Sequence, residues 1–382
     1  MEKNHEWKIP LYKIYTDDED VNLITKIIKR GNNWAMGPEI EEFEDTIREY
    51  LGVDYCLTLN SGTSALHASY LAHNIKEGDE IILPSFTFIS TANSALFVKA
   101  KPVFADIEEE TFGLDPTQIK DHINEKTKAI VPVHYGGNPC RIQDLMEVAL
   151  ENKLIIIEDA AESLGSSVNN NKIGNMGNTA IFSFCGNKVL TTGEGGAIVT
   201  NSKEVYEKIK YTRSHGRVDQ INYFDNQNQA EYNTIGYNWR MSSITAALGI
   251  TQMKKLDKII KMRQENADYI SSKLSKIKQI KIPKPISGNT HIYQMYTIRL
   301  SDKKYRDELH EFLTKKQIFS KVYFNPIHLT NFYRKQLKTE KGLLPITEKI
   351  SNQVLTIPLY PNMTNEEKKY LVESIIKYFE LI

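Results

Sequence analysis

The sequence predicts an α/β fold: a large unit with a mostly parallel β-sheet covered by helices, followed by a smaller α+β unit. Three observations predict it. Between about residues 51 and 200, short β-rich runs alternate with helical patterns, as parallel strands joined by crossover helices require. The run Leu154-Ile155-Ile156-Ile157 is apolar on successive residues, so both faces of that strand should be covered. After Pro283–Pro285 the pattern changes to a shorter mixture of strand and helix.

In chain order, Asp17–Lys29 and Glu39–Leu51 read as helices that precede the sheet. Strands are predicted at Tyr55–Leu59, Glu80–Leu83, Pro102–Ala105, Ala129–Val133, Leu154–Ile157, Ala180–Phe184 and Gly196–Thr200. Between them, Thr63–Asn74, Ile89–Lys99 and Ile142–Lys153 carry helical patterns. Residues 217–234 are rich in Asn, Gln, Asp and Tyr and predict a long polar loop. One helical pattern then runs from Ser242 to Ile277, with Lys254, Lys255, Lys258, Lys261 and Arg263 read as a solvated basic face. A strand at Tyr293–Leu300, helices at Lys303–Lys315 and Asn365–Phe379, and a loop at Tyr323–Leu329 complete the second unit. The expected division is 1–250 for the large unit and 251–382 for the long helix with the small unit.

Composition narrows the function. The chain has 382 residues, 41% hydrophobic and 25% charged, enough for a sizeable core. Its 48 Lys and Arg balance 48 Asp and Glu, which removes the electrostatic case for nucleic acid or an anionic membrane as main partner. No run approaches the ~18 apolar residues of a membrane span, and no apolar segment follows Met1–Glu6. The expectation is a soluble, cytoplasmic protein. Cys56, Cys140 and Cys185 form no Cys-x-x-Cys pair, so neither a disulfide framework nor a metal site is expected.

Three segments carry chemistry. Asn60-Ser61-Gly62-Thr63-Ser64 follows a strand and opens a helix, where hydroxyls, free N–H groups and the helix dipole suit a phosphate. Helix capping would use the same residues. Glu158-Asp159-Ala160-Ala161-Glu162 ends the most apolar strand, and in an open α/β sheet ligands gather at the carboxyl ends of strands. A carboxylate there can face a protonated pyridine nitrogen. Lys188, in Ser183-Phe184-Cys185-Gly186-Asn187-Lys188 before Thr192-Gly193-Glu194-Gly195-Gly196, is placed between an apolar strand and a glycine-rich turn. Burial there would favour the neutral amine that condenses with an aldehyde. Phosphate cradle, strand-end Asp and loop Lys are together the parts of a pyridoxal phosphate site. His134 reads as a packed histidine, His215 as loop structure or substrate contact, and Cys185 as a small buried hydrophobe.

Across nearly its whole length the chain resembles the DegT/DnrJ/EryC1/StrS sugar aminotransferases, within the fold-type I pyridoxal-phosphate enzymes. The resemblance rests on Gly31–Pro38 with Phe43-Glu44, Ser61–Leu66, Gly78-Asp79-Glu80, Pro84–Phe88, Glu158–Ser163, Ser183–Lys188, Gly193–Gly196, Gly236–Met241 and Pro326-Ile327-His328. It implies pyridoxal 5′-phosphate as cofactor, bound covalently by Lys188, with Asp159 facing the pyridine nitrogen. Gly62, Thr63 and Ser183 would hold the cofactor phosphate, and Phe88, or less readily Phe86, would cover the ring. Glu162 would lie near the ring's hydroxyl edge or the substrate. Asn238 would reach the cofactor phosphate of a second subunit, which implies a homodimer with shared active sites. Trp239 stands where tyrosine is more usual in the family, a conservative departure.

The resemblance further implies amino transfer from L-glutamate to a nucleotide-linked keto-sugar, Lys188 moving the proton in each half-reaction. The product would be an amino-sugar nucleotide for surface glycan biosynthesis. Local similarity favours C4 of a 4-keto-6-deoxyhexose, as in GDP-perosamine synthases, over C3, with GDP-4-keto-6-deoxymannose or a UDP-linked N-acetyl sugar as acceptor. Trp34, Glu162, Arg240, His328 and the 217–234 loop would contact the substrate. Relatives that dehydrate the sugar carry histidine in place of the lysine, so Lys188 argues against that chemistry. A regulatory protein on the same fold is the reading from another class.

Overall fold

The computed structural model describes residues 7–217 and 230–382. Most of the predicted loop at 217–234 therefore lies outside the described residues. A seven-stranded sheet forms, in the order Tyr55–Leu59, Gly196–Thr200, Thr179–Ser183, Ile155–Asp159, Thr127–Ile130, Glu80–Pro84 and Lys101–Ala105. Gly196–Thr200 runs antiparallel to both its neighbours, and the remaining pairs are parallel. Because that strand reverses direction twice over, Tyr55–Leu59 ends on the same edge as Ile155–Asp159 and Thr179–Ser183. All seven predicted strands are present.

Strand alternation sorts the sheet into two cores. Ile82, Ile130, Ile156, Ala180, Phe182 and Val199 belong to one apolar cluster. Ile81, Leu83, Ala129, Ile157, Ile181 and Ile198 belong to the other, on the opposite face. Each buried aliphatic side chain of this kind is worth about 1.5–3 kcal/mol relative to exposure, so the doubly covered Ile155–Ile157 segment anchors the strand that carries Asp159.

The C-terminal part builds a three-stranded antiparallel sheet from Ile280–Lys281, Tyr296–Leu300 and Val354–Ile357. Helices Lys303–Lys315 and Asn365–Glu380 pack over it, and the core they share also takes Ile9 from the N-terminal arm. Among the described residues, no helix is long and apolar enough to cross a membrane.

The predicted helix from Ser242 to Ile277 is two helices, Ser243–Lys254 and Leu256–Leu274, broken at Lys255. A buried ion cluster sits at the break. The Lys255 ammonium turns inward to Asp20, 3.0 Å away, and to Asp17, and is only 7% exposed. Arg263 is likewise buried, and its Nη1 donates to the carbonyls of Tyr293, Gln294 and Leu359. The basic stripe read as solvated therefore includes two structural cations, spaced to meet acceptors that the sequence pattern does not reveal.

Candidate active site

The segment read as a phosphate cradle lies, as expected, between a strand and a helix. Helix Gly62–Ala72 begins right after strand Tyr55–Leu59, and Ser61 caps it by accepting the Ser64 N–H at 3.1 Å. The N–H groups of Gly62 and Thr63 have no carbonyl one turn earlier to bond, so they remain available to an anion. Glycine is required by close approach. A Cβ on Gly62 would stand 2.9 Å from Ser183 Cβ, and one on Gly196 would stand 2.5 Å from the Ser61 carbonyl carbon. Thr63 Oγ1 meets Ser90 Oγ at 2.8 Å, which fixes its side chain at the cradle.

The acidic pair at the end of Ile155–Asp159 splits by alternation. Asp159 Oδ2 accepts from Thr91 Oγ1 at 2.7 Å, and Oδ1 from the Ala161 N–H at 3.2 Å. Burial raises the Asp159 carboxyl above its ordinary range, and the bonds from Thr91 and Ala161 only partly offset that. Glu158 points to the other face. It accepts from the N–H groups of Gly174, Met176 and Gly177 and from His134 Nε2. The Cys140 N–H donates to His134 Nδ1 at 3.2 Å while Nε2 faces Glu158, so the ring is packed between fixed partners on both nitrogens.

Glu158 is thus a structural carboxylate. Burial opposes its charge, but the bonds from His134, Gly177 and Gly174 hold its pKa below the ordinary value. Its stabilising contribution is present above the unfolded carboxyl pKa of about 4.3 and is lost as pH falls through the lower folded value. Glu158→Ala should cost roughly 3 kcal/mol, because buried N–H groups lose their acceptor. Denaturant unfolding at pH 7 checks this. A variant of wild-type stability, or one whose loss does not shrink in acid, would refute the assignment.

Lys188 follows strand Thr179–Ser183 in a turn held by Lys188 N–H to Cys185 O and Thr192 N–H to Phe184 O. Its Nζ lies 3.2 Å from Glu162 Oε1, and Glu162 Oε2 accepts the Gly136 N–H at 2.8 Å. Lys188 therefore meets a carboxylate rather than a purely apolar wall. Asp159, Lys188, Glu162, Ser183 and the cradle all line one cavity of about 370 Å³ at the carboxyl edge of the sheet. That volume lies in the range of small-ligand sites, ~300–1,000 Å³. A larger cavity of about 610 Å³, lined by Glu44, Arg213 and Arg240, contains neither the lysine nor the cradle. The smaller one is the candidate site.

Phe88 stands at the rim of this cavity and is 61% exposed, whereas Phe86 is fully buried against Tyr135 and Phe112. Cys185 corrects the sequence reading: it is partly exposed and lines the cavity, with Sγ 3.7 Å from Glu194 Oε1. Thr91, Ser90, Tyr323 and Lys321 were missed. The run Thr87-Phe88-Ile89-Ser90-Thr91 held a signal, since hydroxyls at a helix start next to a cradle have partners to find. Tyr323 and Lys321 arrive from a distant segment and gave none.

Four expected residues are not brought into the cavity within one chain. Trp34 is half-exposed, and its Nε1 donates to the Ile27 carbonyl. Asn238 is exposed beside the end of strand Tyr55–Leu59, its carbonyl accepting from Asn60. Arg240 lines the larger cavity, where burial and then Arg217 and Arg213 lower its pKa. His328 is a correction: it is fully buried, Nδ1 meets Ser85 Oγ at 2.7 Å and Nε2 meets Glu348 at 3.2 Å. Both ring nitrogens are committed, so none is left for a substrate. His215 is exposed in a loop with φ of 60°.

The sequence profile of the DegT/DnrJ/EryC1/StrS aminotransferase family matches residues 15–376. The chain belongs to this family. The GDP-perosamine synthase of Vibrio cholerae is 34% identical over 376 residues, spanning 98% of this chain and 100% of that protein. Among solved structures, Helicobacter pylori PseC, an aminotransferase involved in the biosynthesis of pseudoaminic acid, is 29% identical with a TM-score of 0.91, over 98% of this chain and 100% of its own. NtdA from Bacillus subtilis, solved with bound cofactor PMP, is 29% identical with a TM-score of 0.86, over 96% of this chain and 83% of its own. DegT/DnrJ/EryC1/StrS aminotransferases use pyridoxal 5′-phosphate. The residues present fit that cofactor: a cradle that a Cβ at Gly62 would fill, a buried carboxyl raised by desolvation at Asp159, and an amine at Lys188 share one cavity.

Proposed function

We propose that the protein transfers an amino group from L-glutamate to a nucleotide-linked 4-keto-6-deoxyhexose, as a cytoplasmic homodimer serving surface glycan biosynthesis. The observation that carries the reading is the convergence of Lys188, Asp159 and the Ser61-Gly62-Thr63 cradle on one cavity. Likeness to the Vibrio cholerae GDP-perosamine synthase supports GDP-4-keto-6-deoxymannose as the first acceptor to test. We take residues 1–250 and 251–382 as the two units; the C-terminal sheet has its own core, which also takes Ile9, while Leu256, Ile260, Ile327 and Tyr333 pack with the large unit.

When bound, pyridoxal phosphate supplies an aldehyde that receives amino groups and a ring that takes up the electron pair of a deprotonated carbon. Gly62, Thr63 and Ser183 hold its phosphate, and Phe88 covers its ring. Asp159 would accept the pyridine N–H, which gives a carboxylate already out of water a charge-complementary partner. Lys188 binds the aldehyde, and as a free amine it moves a proton between the carbon that loses the amino group and the cofactor. Glu162, 3.2 Å from Nζ, orients that amine. Asn238, exposed on this chain, reaches the cofactor phosphate in the partner subunit's site, and Trp34 and Arg240 contact the substrate.

Supplied with pyridoxal phosphate and L-glutamate, the protein should release 2-oxoglutarate continuously with GDP-4-keto-6-deoxymannose or a UDP-linked 4-keto N-acetyl sugar. A 3-keto isomer should turn over at least about tenfold more slowly, a difference of roughly 1.4 kcal/mol in the barrier. Parallel lines in double-reciprocal plots are expected for the two half-reactions. No sustained turnover with any nucleotide-linked keto-sugar would overturn the proposal.

A further inference from the structure

Lys321 lines the same cavity as Lys188 but belongs to the C-terminal segment of the chain. Its backbone is fixed: Lys321 N–H donates to the Thr356 carbonyl at 3.0 Å, and the Thr356 N–H donates back at 2.8 Å. Among the described residues its side chain has a ring contact and no ion pair. The residue is exposed at the cavity, Nζ sits 4.7 Å from the centroid of the Tyr323 ring, and among the described residues no carboxylate lies within ion-pair distance.

The charges around it are uneven. Asp159, Glu162 and Glu194 line the cavity as carboxylates, and Lys188 and Lys321 as ammonium groups. Lys188 is already paired with Glu162 and is committed to the cofactor. An amino donor with two carboxylates enters a cavity whose fixed charges oppose it, and among the described residues of this chain that line it Lys321 is the cation not paired with a carboxylate. The paired backbone bonds to Thr356 fix where this side chain enters the cavity.

We propose that Lys321 is the residue that binds a carboxylate of the amino donor and so sets donor preference. This rests on the reading of the site as an aminotransferase. A charge-assisted hydrogen bond of this kind corresponds to about a ten- to hundredfold change in affinity.

The experiment compares wild type with Lys321→Met and Lys321→Arg, all loaded with cofactor. In a two-step exchange reaction, kcat/KM for each substrate reports its own half-reaction, so the two ends separate cleanly. Lys321→Met should lower kcat/KM for L-glutamate ten- to hundredfold, leave kcat/KM for the keto-sugar nucleotide within twofold, and be largely rescued in Lys321→Arg. Calorimetric titration with glutarate, a dicarboxylate without an amine, should show the same loss of affinity in Lys321→Met. An unchanged glutamate value, equal losses for both substrates, or a loss confined to the nucleotide sugar would each overturn the assignment, the last pointing to the diphosphate instead. Wild type that binds glutarate through Lys321 yet transfers no amine to any keto-sugar would leave this contact standing and sink the proposed function.

Discussion

Lys188→Ala should abolish amino transfer, with turnover falling by at least about a thousandfold, while the protein folds and still takes up cofactor noncovalently. The size follows from the role: one amine both holds the aldehyde and moves the proton, and positioned proton transfer alone contributes about 10²–10⁴-fold. Folding should survive because the side chain holds little together. Its ion pair is with Glu162, which keeps the Gly136 N–H as a partner, and the turn is fixed by backbone bonds at Cys185 and Phe184. The measurements are the 2-oxoglutarate assay and absorption spectra. The visible band of lysine-bound cofactor should be missing from the variant and present in wild type, with thermal unfolding unchanged within ~2 °C. Full turnover by purified variant free of wild-type enzyme would remove Lys188 from the mechanism.

The sheet was legible because period-two burial and turn chemistry coincide there. Ile155-Ile156-Ile157 could only be a strand covered on both faces, and the two cores that receive its alternating side chains bear that out. The strand-to-helix junction at Ser61-Gly62-Thr63 was legible for a similar reason, since local sequence and fold make the same demand there. Asp159 and Glu158 were adjacent and chemically alike, yet alternation sends one into the cavity and the other into a nest of backbone N–H groups.

What stayed hidden depended on partners far along the chain. His328 looked available beside Pro326, but Ser85 and Glu348 occupy its ring, and neither is near it in sequence. Lys255 and Arg263 followed the spacing of a solvated stripe until Asp20 and the carbonyls near Tyr293 drew them inward. Cys185 reads as a small buried hydrophobe because free cysteine usually is one, while the turn that carries Lys188 opens it to the cavity. Helical or strand period records which face of an element is apolar. It does not record which distant acceptor waits for a buried charge.

Asp159→Asn should move activity and stability in opposite directions. Activity should fall by about 100- to 1,000-fold, the usual loss when a fixed charge that supports developing charge is removed. Stability of the cofactor-free protein should rise or hold, because burial raises the Asp159 carboxyl, with Thr91, Ala161 and Lys188 only partly compensating. The folded chain then binds this proton more tightly than the unfolded chain. The stabilisation that follows is present at low pH and is lost as pH climbs from the unfolded value near 3.9 through the raised folded one. Asparagine keeps the shape and carries no charge to lose, so the variant's melting temperature should decline less than that of wild type across this window. Cofactor reverses the order, since pyridine N–H gives the carboxylate its partner: pyridoxal phosphate should raise the melting temperature of wild type more than that of Asp159→Asn. Thermal scans between pH 4 and 8, with and without cofactor, beside the turnover assay, test all three. A residue with a merely structural role would lower stability and activity together, and that result would displace Asp159 from the cofactor.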